Sequence, residues 1–309
     1  MLALPTKGIS RSVTVHNVEL DTFCDWIELT SLFDDDDLST SDVVDVLTEE
    51  NIYADRNMAL ELVHSAWTEI RRRQSWIPNG SPFQIEGSRI SRTKAWREVS
   101  AYAFCLLLSV DQWYSRSKGT RSQDYTEQGE LFEELTKESL FKQFRHWEVY
   151  RTGWSATNCG KLSILVEKIA SRLGETVGET RRWTTDDAKD GGLDLLCYRP
   201  FVDRRVGIPV YLMQCASGSN WKDKLRTPSL ELWTKIITWA ANPRRAFATP
   251  YAFTDCDFTR HCAQVDGLLL DRYRILAACT HTSSWVSRGL RKRLIAWASP
   301  RIKDLPRRH

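Results

Sequence analysis

The 309-residue chain contains no apolar run of the roughly 18 residues that crossing a bilayer requires; the longest candidate, AYAFCLLLSV at 101–110, reaches about half that. Its opening MLALPTKGISR lacks a charged stretch ahead of an apolar core, so no secretory leader is expected. Eight cysteines are present without a compact framework, which predicts reduced thiols and a cytoplasmic protein with no membrane association. Net charge is almost absent. With 43 Lys+Arg against 40 Asp+Glu the sum is +3, which taken alone argues against a generally basic nucleic-acid coat protein. No repeat at solenoid spacing and no low-complexity stretch beyond Asp34–Asp37 is found. What is present, 42% hydrophobic and 27% charged residues, is the composition of a folded chain long enough for two domains.

The charge is unevenly placed. Residues 1–60 carry 3 basic against 13 acidic residues, and residues 281–309 carry 8 basic against 1 acidic. Such asymmetry predicts an acidic N-terminal module facing solvent, a regulator or a partner, and a basic end suited to a polyanion. Asp34–Asp37 is expected to be a solvated loop. Ala59, Leu62, Val63, Ala66, Trp67 and Ile70 recur on one helical face across 57–73, with Arg71, Arg72 and Arg73 in the last turn, where cations suit the helix dipole. The segment 77–93 reads as a small hairpin about Glu86–Gly87, followed by apolar helices over about 94–114 and 128–147. A polar stretch at 115–127 suggests a boundary, giving a mainly α-helical N-terminal domain over 1–120 and a second domain over 121–309.

The second domain alternates helix and strand. A helix over 161–173 ends at Gly174; LDLLCY (193–198) and IPVYLMQCA (208–216) read as neighbouring antiparallel strands. SGSNWKDKL (217–225) reads as a turn into the next helix, with Gly218 for close approach and Asn220 as a cap. A helix over 229–241, a strand over 246–253, a short helix and GLLLDRYRIL (267–276) complete a mixed α/β order. Asp194 enters its strand two residues after a Gly-Gly pair, and Gln214 interrupts the neighbouring apolar strand. A carboxylate and an amide on adjacent strands either hold a hard cation through oxygen or form a buried pair that satisfies backbone groups.

The order helix, DGGLDLL (190–196), hairpin, LMQCASGSNWKDKL (212–225) resembles the PD-(D/E)XK, restriction endonuclease-like nucleases, in particular Mrr-like members with a Gln-containing third motif, over about residues 128–280. That resemblance implies a mixed-sheet α/β nuclease core and a metal-dependent endonuclease acting on double-stranded DNA, in prokaryotic restriction or antiviral defence. A protein partner in a defence complex or a homo-oligomer is also in keeping with it. Asp194 matches the family's strand Asp and Gln214 its Glu/Gln; both would hold Mg²⁺, or Mn²⁺ in its place. Ala216 fills the position of the family's Lys. Lys224, or alternatively Lys222, is expected to return an ammonium to the site from the following helix, as some branches do; either is otherwise a solvent-facing lysine. Glu133 and Glu167 are level candidates for the helix acid that completes the metal site, or are ordinary helix surface, and Asp190 is a further acid nearby. The alternative is a catalytically degenerate relative that binds nucleic acid or scaffolds a complex.

Other combinations are weaker. Cys256, His261 and Cys262 have the wrong spacing for zinc, and Cys215 should face away from Gln214. Asp271 and Arg272 read as a structural pair at a strand end. The tail 287–303 is a basic amphipathic segment with Leu290, Leu294 and Trp297 inward, suited to backbone contact with DNA.

Overall fold

A computed structural model describes residues 1–5, 7–9, 18–34, 37–110, 114, 125–152, 162–184, 191–280 and 285–308. The chain divides into two compact units, Met1–Ser122 with Pro250–Thr254 and Arg272–His309, and Gln123–Thr249 with Asp255–Asp271.

Unit 1 is built around a helix that is buried on every side. Helix α1 (Leu20–Phe33) is buried continuously from Thr22 to Phe33, which identifies it as a central rather than a surface helix. Strand β1 (Asp37–Ser39) leads into α2 (Thr40–Glu49), opened by a capping box in which Ser39 and Asp42 satisfy each other's backbone. Helix α3 (Arg56–Trp76) buries the expected stripe Ala59, Leu62, Val63, Ala66, Trp67 and Ile70. The hairpin forms as anticipated: β2 (Phe83–Glu86) and β3 (Arg89–Arg92) pair about Gly87, whose φ of 56° suits glycine, and β1 joins the other edge of β3. Helix α4 (Ser100–Val110) starts six residues later than expected, because 96–99 form turns ahead of it.

In unit 2, α5 (Tyr125–Gln143) precedes strand β4 (Glu148–Arg151), which sequence periodicity missed. Next come α6 (Leu162–Leu173), β5 (Thr176–Val177), α7 (Thr180–Trp183), β6 (Leu195–Tyr198) and β7 (Val210–Cys215). Helix α8 (Leu230–Ile236) is shorter than expected, since Ile237–Thr238 leave it as β8 to pair with β5. Strand β9 (Arg244–Ala248), α9 (Asp255–Val265) and β10 (Gly267–Leu270) complete the unit. The five-stranded sheet has the order β10-β9-β7-β6-β4; β6 is antiparallel to both neighbours, while β7, β9 and β10 run parallel. Strands buried on both faces need helices on both. Val166 and Ile169 of α6 pack with Leu196, Tyr198 and Leu212, and α5 packs on β4 and β7.

The chain returns to unit 1 through α10 (Arg272–Leu276) and α11 (Arg288–Lys303). GLLLDRYRIL is therefore a strand and a helix split between units, and the basic tail belongs to unit 1 rather than to the second domain in which it was expected. Leu290, Leu294 and Trp297 are buried as expected, and α11 packs on α4. The opposite charges of the two chain ends meet each other: Arg307 pairs with Asp34 at 2.7 Å, and Arg308 with Glu49 at 2.8 Å and Glu50 at 3.5 Å. Asp34 also receives the N-terminal ammonium at 2.8 Å and Asp37 pairs with Arg89, so the described ends of the aspartate run are paired rather than merely solvated.

Two arginines expected elsewhere lie at the polar centre of unit 1. Arg73 is 1% exposed and binds Asp25 (2.7 Å), Asp21 (2.8 Å), Glu69 (3.1 Å) and Glu28 (3.3 Å); it is not a solvated cation at a helix end. Arg272, wholly buried, bridges both oxygens of Asp25 rather than pairing with Asp271, and donates to Ser109 (2.7 Å) and the Pro250 carbonyl (2.9 Å). Tyr102 and Tyr273 donate to Glu28 at 2.7 and 3.1 Å. Burial pushes the Asp25 carboxyl up, but Arg272 and Arg73 outweigh it and hold it below its usual range. Burial wins at Glu28, whose carboxyl is raised, and at Asp21, raised to about 6.

Candidate active site

Asp194 is delivered to the sheet by two consecutive left-handed residues, Gly191 (φ 60°) and Gly192 (φ 73°). A Cβ on Gly192 would stand 2.2 Å from Thr227 Cγ2, so the turn requires glycine both for its dihedral and for its space. The Asp194 backbone is fixed from both sides: its N–H donates to Met213 O (2.9 Å), and its carbonyl accepts from Thr152 N (2.8 Å). Because Leu195 pairs with Met213, the preceding residue falls opposite Gln214. Strand register thus brings the two sequence-predicted residues together, each 7% exposed.

Their side chains contact each other. Asp194 Oδ2 accepts from Gln214 Nε2 and from Cys215 N at 2.6 Å; Gln214 Nε2 also reaches Cys215 O at 3.2 Å. The Gln214 amide oxygen lies 3.6 Å from the position a Cβ on Gly192 would take, turned toward the glycine turn.

The remaining candidates separate. Glu133, on α5 and 9% exposed, pairs with Arg151 Nε at 2.6 Å. Arg151 sits opposite Leu195 in β4 and carries a buried Nη2 with no partner among the described residues. Glu133 and Asp194 both act on the Cys215 thiol, which burial first and these acids second push well above its usual value. Cys215 is therefore a buried thiol, not a nucleophile. Glu167 is exposed on α6, away from the buried stripe of that helix, and joins no acidic group with Asp194 among the described residues. Lys222 and Lys224 lie in a short 3₁₀ turn, Trp221–Lys224, rather than at the start of a long helix. Lys222 is exposed with its ammonium 5.7 Å from the Trp221 ring, and Lys224 is half-buried. Asn220 makes no capping bond. Asp190 lies outside the described residues. His261 is buried edge-on to Trp221 at 4.9 Å with Nδ1 at 3.1 Å from Gln264, while Cys256 is exposed, so no zinc set forms from them.

Sequence reasoning missed Arg151, Thr152 and Gln128, whose Nε2 donates to Ser217 O at 3.2 Å. The β-branched and aromatic pair Val149–Tyr150 was the available signal for β4. No family model, curated protein or solved structure matches this chain.

Among the described residues no three His, Cys, Asp or Glu side chains gather as a metal cage. Asp194 and Gln214 nonetheless supply oxygen donors of the kind hard divalent cations take. Magnesium is commonly held by one or two carboxylates, with water and substrate phosphate completing its sphere. The donor set fits an ion of that kind and does not fit a closed structural site. Among the described residues no helix is long and apolar enough to cross a membrane.

Proposed function

We propose that unit 2 is a PD-(D/E)XK-type, restriction endonuclease-like domain that hydrolyses phosphodiester bonds of double-stranded DNA. The observation that carries this reading is Asp194 directly opposite Gln214, at the glycine-turn end of β6 in a mixed sheet. The core elements α5, β4, β6, β7, α8 and β9 follow one another in the chain with α6, β5 and α7 inserted between β4 and β6 and β8 before β9, and the three antiparallel strands β4, β6 and β7 followed by a parallel β9 support it. Asp194 and Gln214 would hold Mg²⁺ or Mn²⁺, which when bound supplies positive charge to the scissile phosphate. Gln214 is neutral, so the pair carries one negative charge fewer than two acids and binds a cation more weakly. The Cys215 amide fixes the Asp194 carboxylate, so its orientation is set before substrate arrives. Arg151 Nη2 offers a guanidinium donor suited to a phosphate oxygen, and Lys224 is the half-buried ammonium nearest in sequence. A part in cytoplasmic prokaryotic restriction or antiviral defence, with a protein partner or a second copy, belongs to the same reading.

A second reading rests on specific observations. Gln214 already occupies Asp194, Arg151 occupies Glu133, and Ala216 stands where a lysine is expected. These favour a degenerate nuclease fold that binds nucleic acid or scaffolds a complex.

Plasmid nicking by the full chain with Mg²⁺, Mn²⁺ or EDTA separates the two. Cleavage that requires metal and disappears in Asp194→Asn supports the nuclease. Asparagine is the variant of choice because alanine also strips the Cys215 amide of its acceptor, at about 1–3 kcal/mol. Cleavage retained by Asp194→Asn at matched purity overturns the assignment; salt-sensitive binding without nicking under either metal favours the degenerate reading.

A further inference from the structure

Unit 1 contains a cavity of about 220 Å³ at the start of α4 that the nuclease reading does not use. The first helical bond of α4 runs from Ala103 N to Val99 O (3.0 Å). The amides of Ser100, Ala101 and Tyr102, all cavity-lining residues, therefore have no acceptor inside the helix. Ser100 gives the second, independent observation. It is 4% exposed, it lines the cavity, and its hydroxyl makes no hydrogen bond among the described residues. Its oxygen is open to the cavity rather than sealed in protein, so it has a hydrogen bond to offer an occupant.

Charge on the lining has a clear sign. Lys94 Nζ donates to Asn79 O (2.7 Å) and Arg291 Nη2 to Arg97 O (3.0 Å), and each cation keeps further N–H groups. The acid on the lining, Glu98, is engaged by Ala95 N at 2.7 Å. Two cations, one acid and the positive end of a helix sum to a preference for an anion. Tyr102 and Trp285, 4% and 6% exposed, supply a flat apolar wall. The volume lies below the roughly 300 Å³ at which drug-sized pockets begin, so the group that enters is small.

We infer that this cavity binds a small organic phosphate monoester, its phosphate on the α4 N-terminus, Ser100, Lys94 and Arg291 and its flat or apolar body against Trp285 and Tyr102. The site lies wholly in unit 1 and is independent of Asp194 and Gln214.

Calorimetric titration of the full chain with phenyl phosphate, inorganic phosphate and benzoate tests it. Phenyl phosphate is expected to bind at least about tenfold more tightly than inorganic phosphate, which lacks the apolar body, and than benzoate, which carries one charge less. Ser100→Ala, Lys94→Gln and Arg291→Gln should each weaken phenyl phosphate by about tenfold, the worth of one charge-assisted hydrogen bond. Cys279 lines the same cavity, whereas Cys256 is exposed outside it. Phenyl phosphate should therefore slow iodoacetamide labelling of Cys279 and leave Cys256 unchanged. Absence of heat and of Cys279 protection up to about 10 mM overturns the proposal. So does unchanged affinity in all three variants, and benzoate binding as tightly as phenyl phosphate overturns the assignment of the phosphate.

Discussion

Replacing Arg272 with methionine removes the cation that holds both carboxylate oxygens of Asp25 inside unit 1. The group comprises Asp21, Asp25, Glu28 and Glu69 with Arg72, Arg73 and Arg272. Methionine keeps much of the apolar stem but strands Asp25, 2% exposed, on the side where Arg272 stood. Breaking a buried pair by removing one partner costs about 3–5 kcal/mol, most of it the burial of the uncompensated charge. The loss has a pH signature. In the native chain Asp25 is held below its usual range, so it adds stability that is present above about pH 4, the unfolded value, and is lost as pH falls through its folded value. Without Arg272, burial is opposed only by Arg73 and the Ser109 hydroxyl, which donates to Asp25 Oδ2 at 2.9 Å, and the carboxyl moves up. The deficit of the variant should therefore be small near pH 4 and grow toward pH 7.5. Hydrogen exchange of α1 peptides in urea reads unit 1 without mixing in the unfolding of unit 2. Asp25→Asn combined with Arg272→Met should cost less at pH 7.5 than Arg272→Met alone, because no bare charge remains. A deficit below about 1 kcal/mol, a deficit independent of pH, or a double variant that costs the sum of its parts refutes the reasoning.

Three further outcomes are expected. Asp21, raised to about 6 chiefly by burial, holds a proton in the folded chain between about pH 4 and 6 that the unfolded chain has released. Raising pH through that window therefore costs unit 1 about 3 kcal/mol, and Asp21→Asn should flatten that part of the pH profile; an unchanged profile counts against it. Gly192→Ala should destabilise unit 2 by about 2–4 kcal/mol, from the left-handed dihedral and the Thr227 methyl, with partial recovery in Gly192→Ala/Thr227→Ser; denaturant midpoints check this, and no recovery would mean that the methyl is not the obstacle. Glu133→Gln leaves Arg151 with a neutral partner, and should lower the stability of unit 2, read from its denaturant midpoint, by about 1–2 kcal/mol if the pair is structural.

Residues with a strong local period were legible in the sequence. The α3 stripe, the Leu290, Leu294 and Trp297 face of α11 and the hairpin at Gly87 each follow from neighbours within a few positions. The Asp194–Gln214 juxtaposition was legible because a Gly-Gly pair and two apolar runs define adjacent strands whose register leaves little choice. Partners far apart in the chain were not. Asp25 meets Arg73 from 48 positions away and Arg272 from 247, and no periodicity encodes such pairing. Strand β4 went unseen because it is a short polar edge just after a helix. The place of the basic tail went unseen because charge count alone does not say which surface it neutralises.

The chain enters unit 1, leaves it, touches it again at Pro250–Thr254 and finishes there, and this itinerary imposes an order on biosynthesis. Asp25 leaves the ribosome 247 residues before Arg272. At about 5–20 residues per second the α1 acids wait on the order of 12–50 seconds for their guanidinium. Through that interval a nascent α1 has apolar and acidic surface ready for burial and no complete core to enter. Unit 2 can finish folding while unit 1 is still waiting for its last two helices.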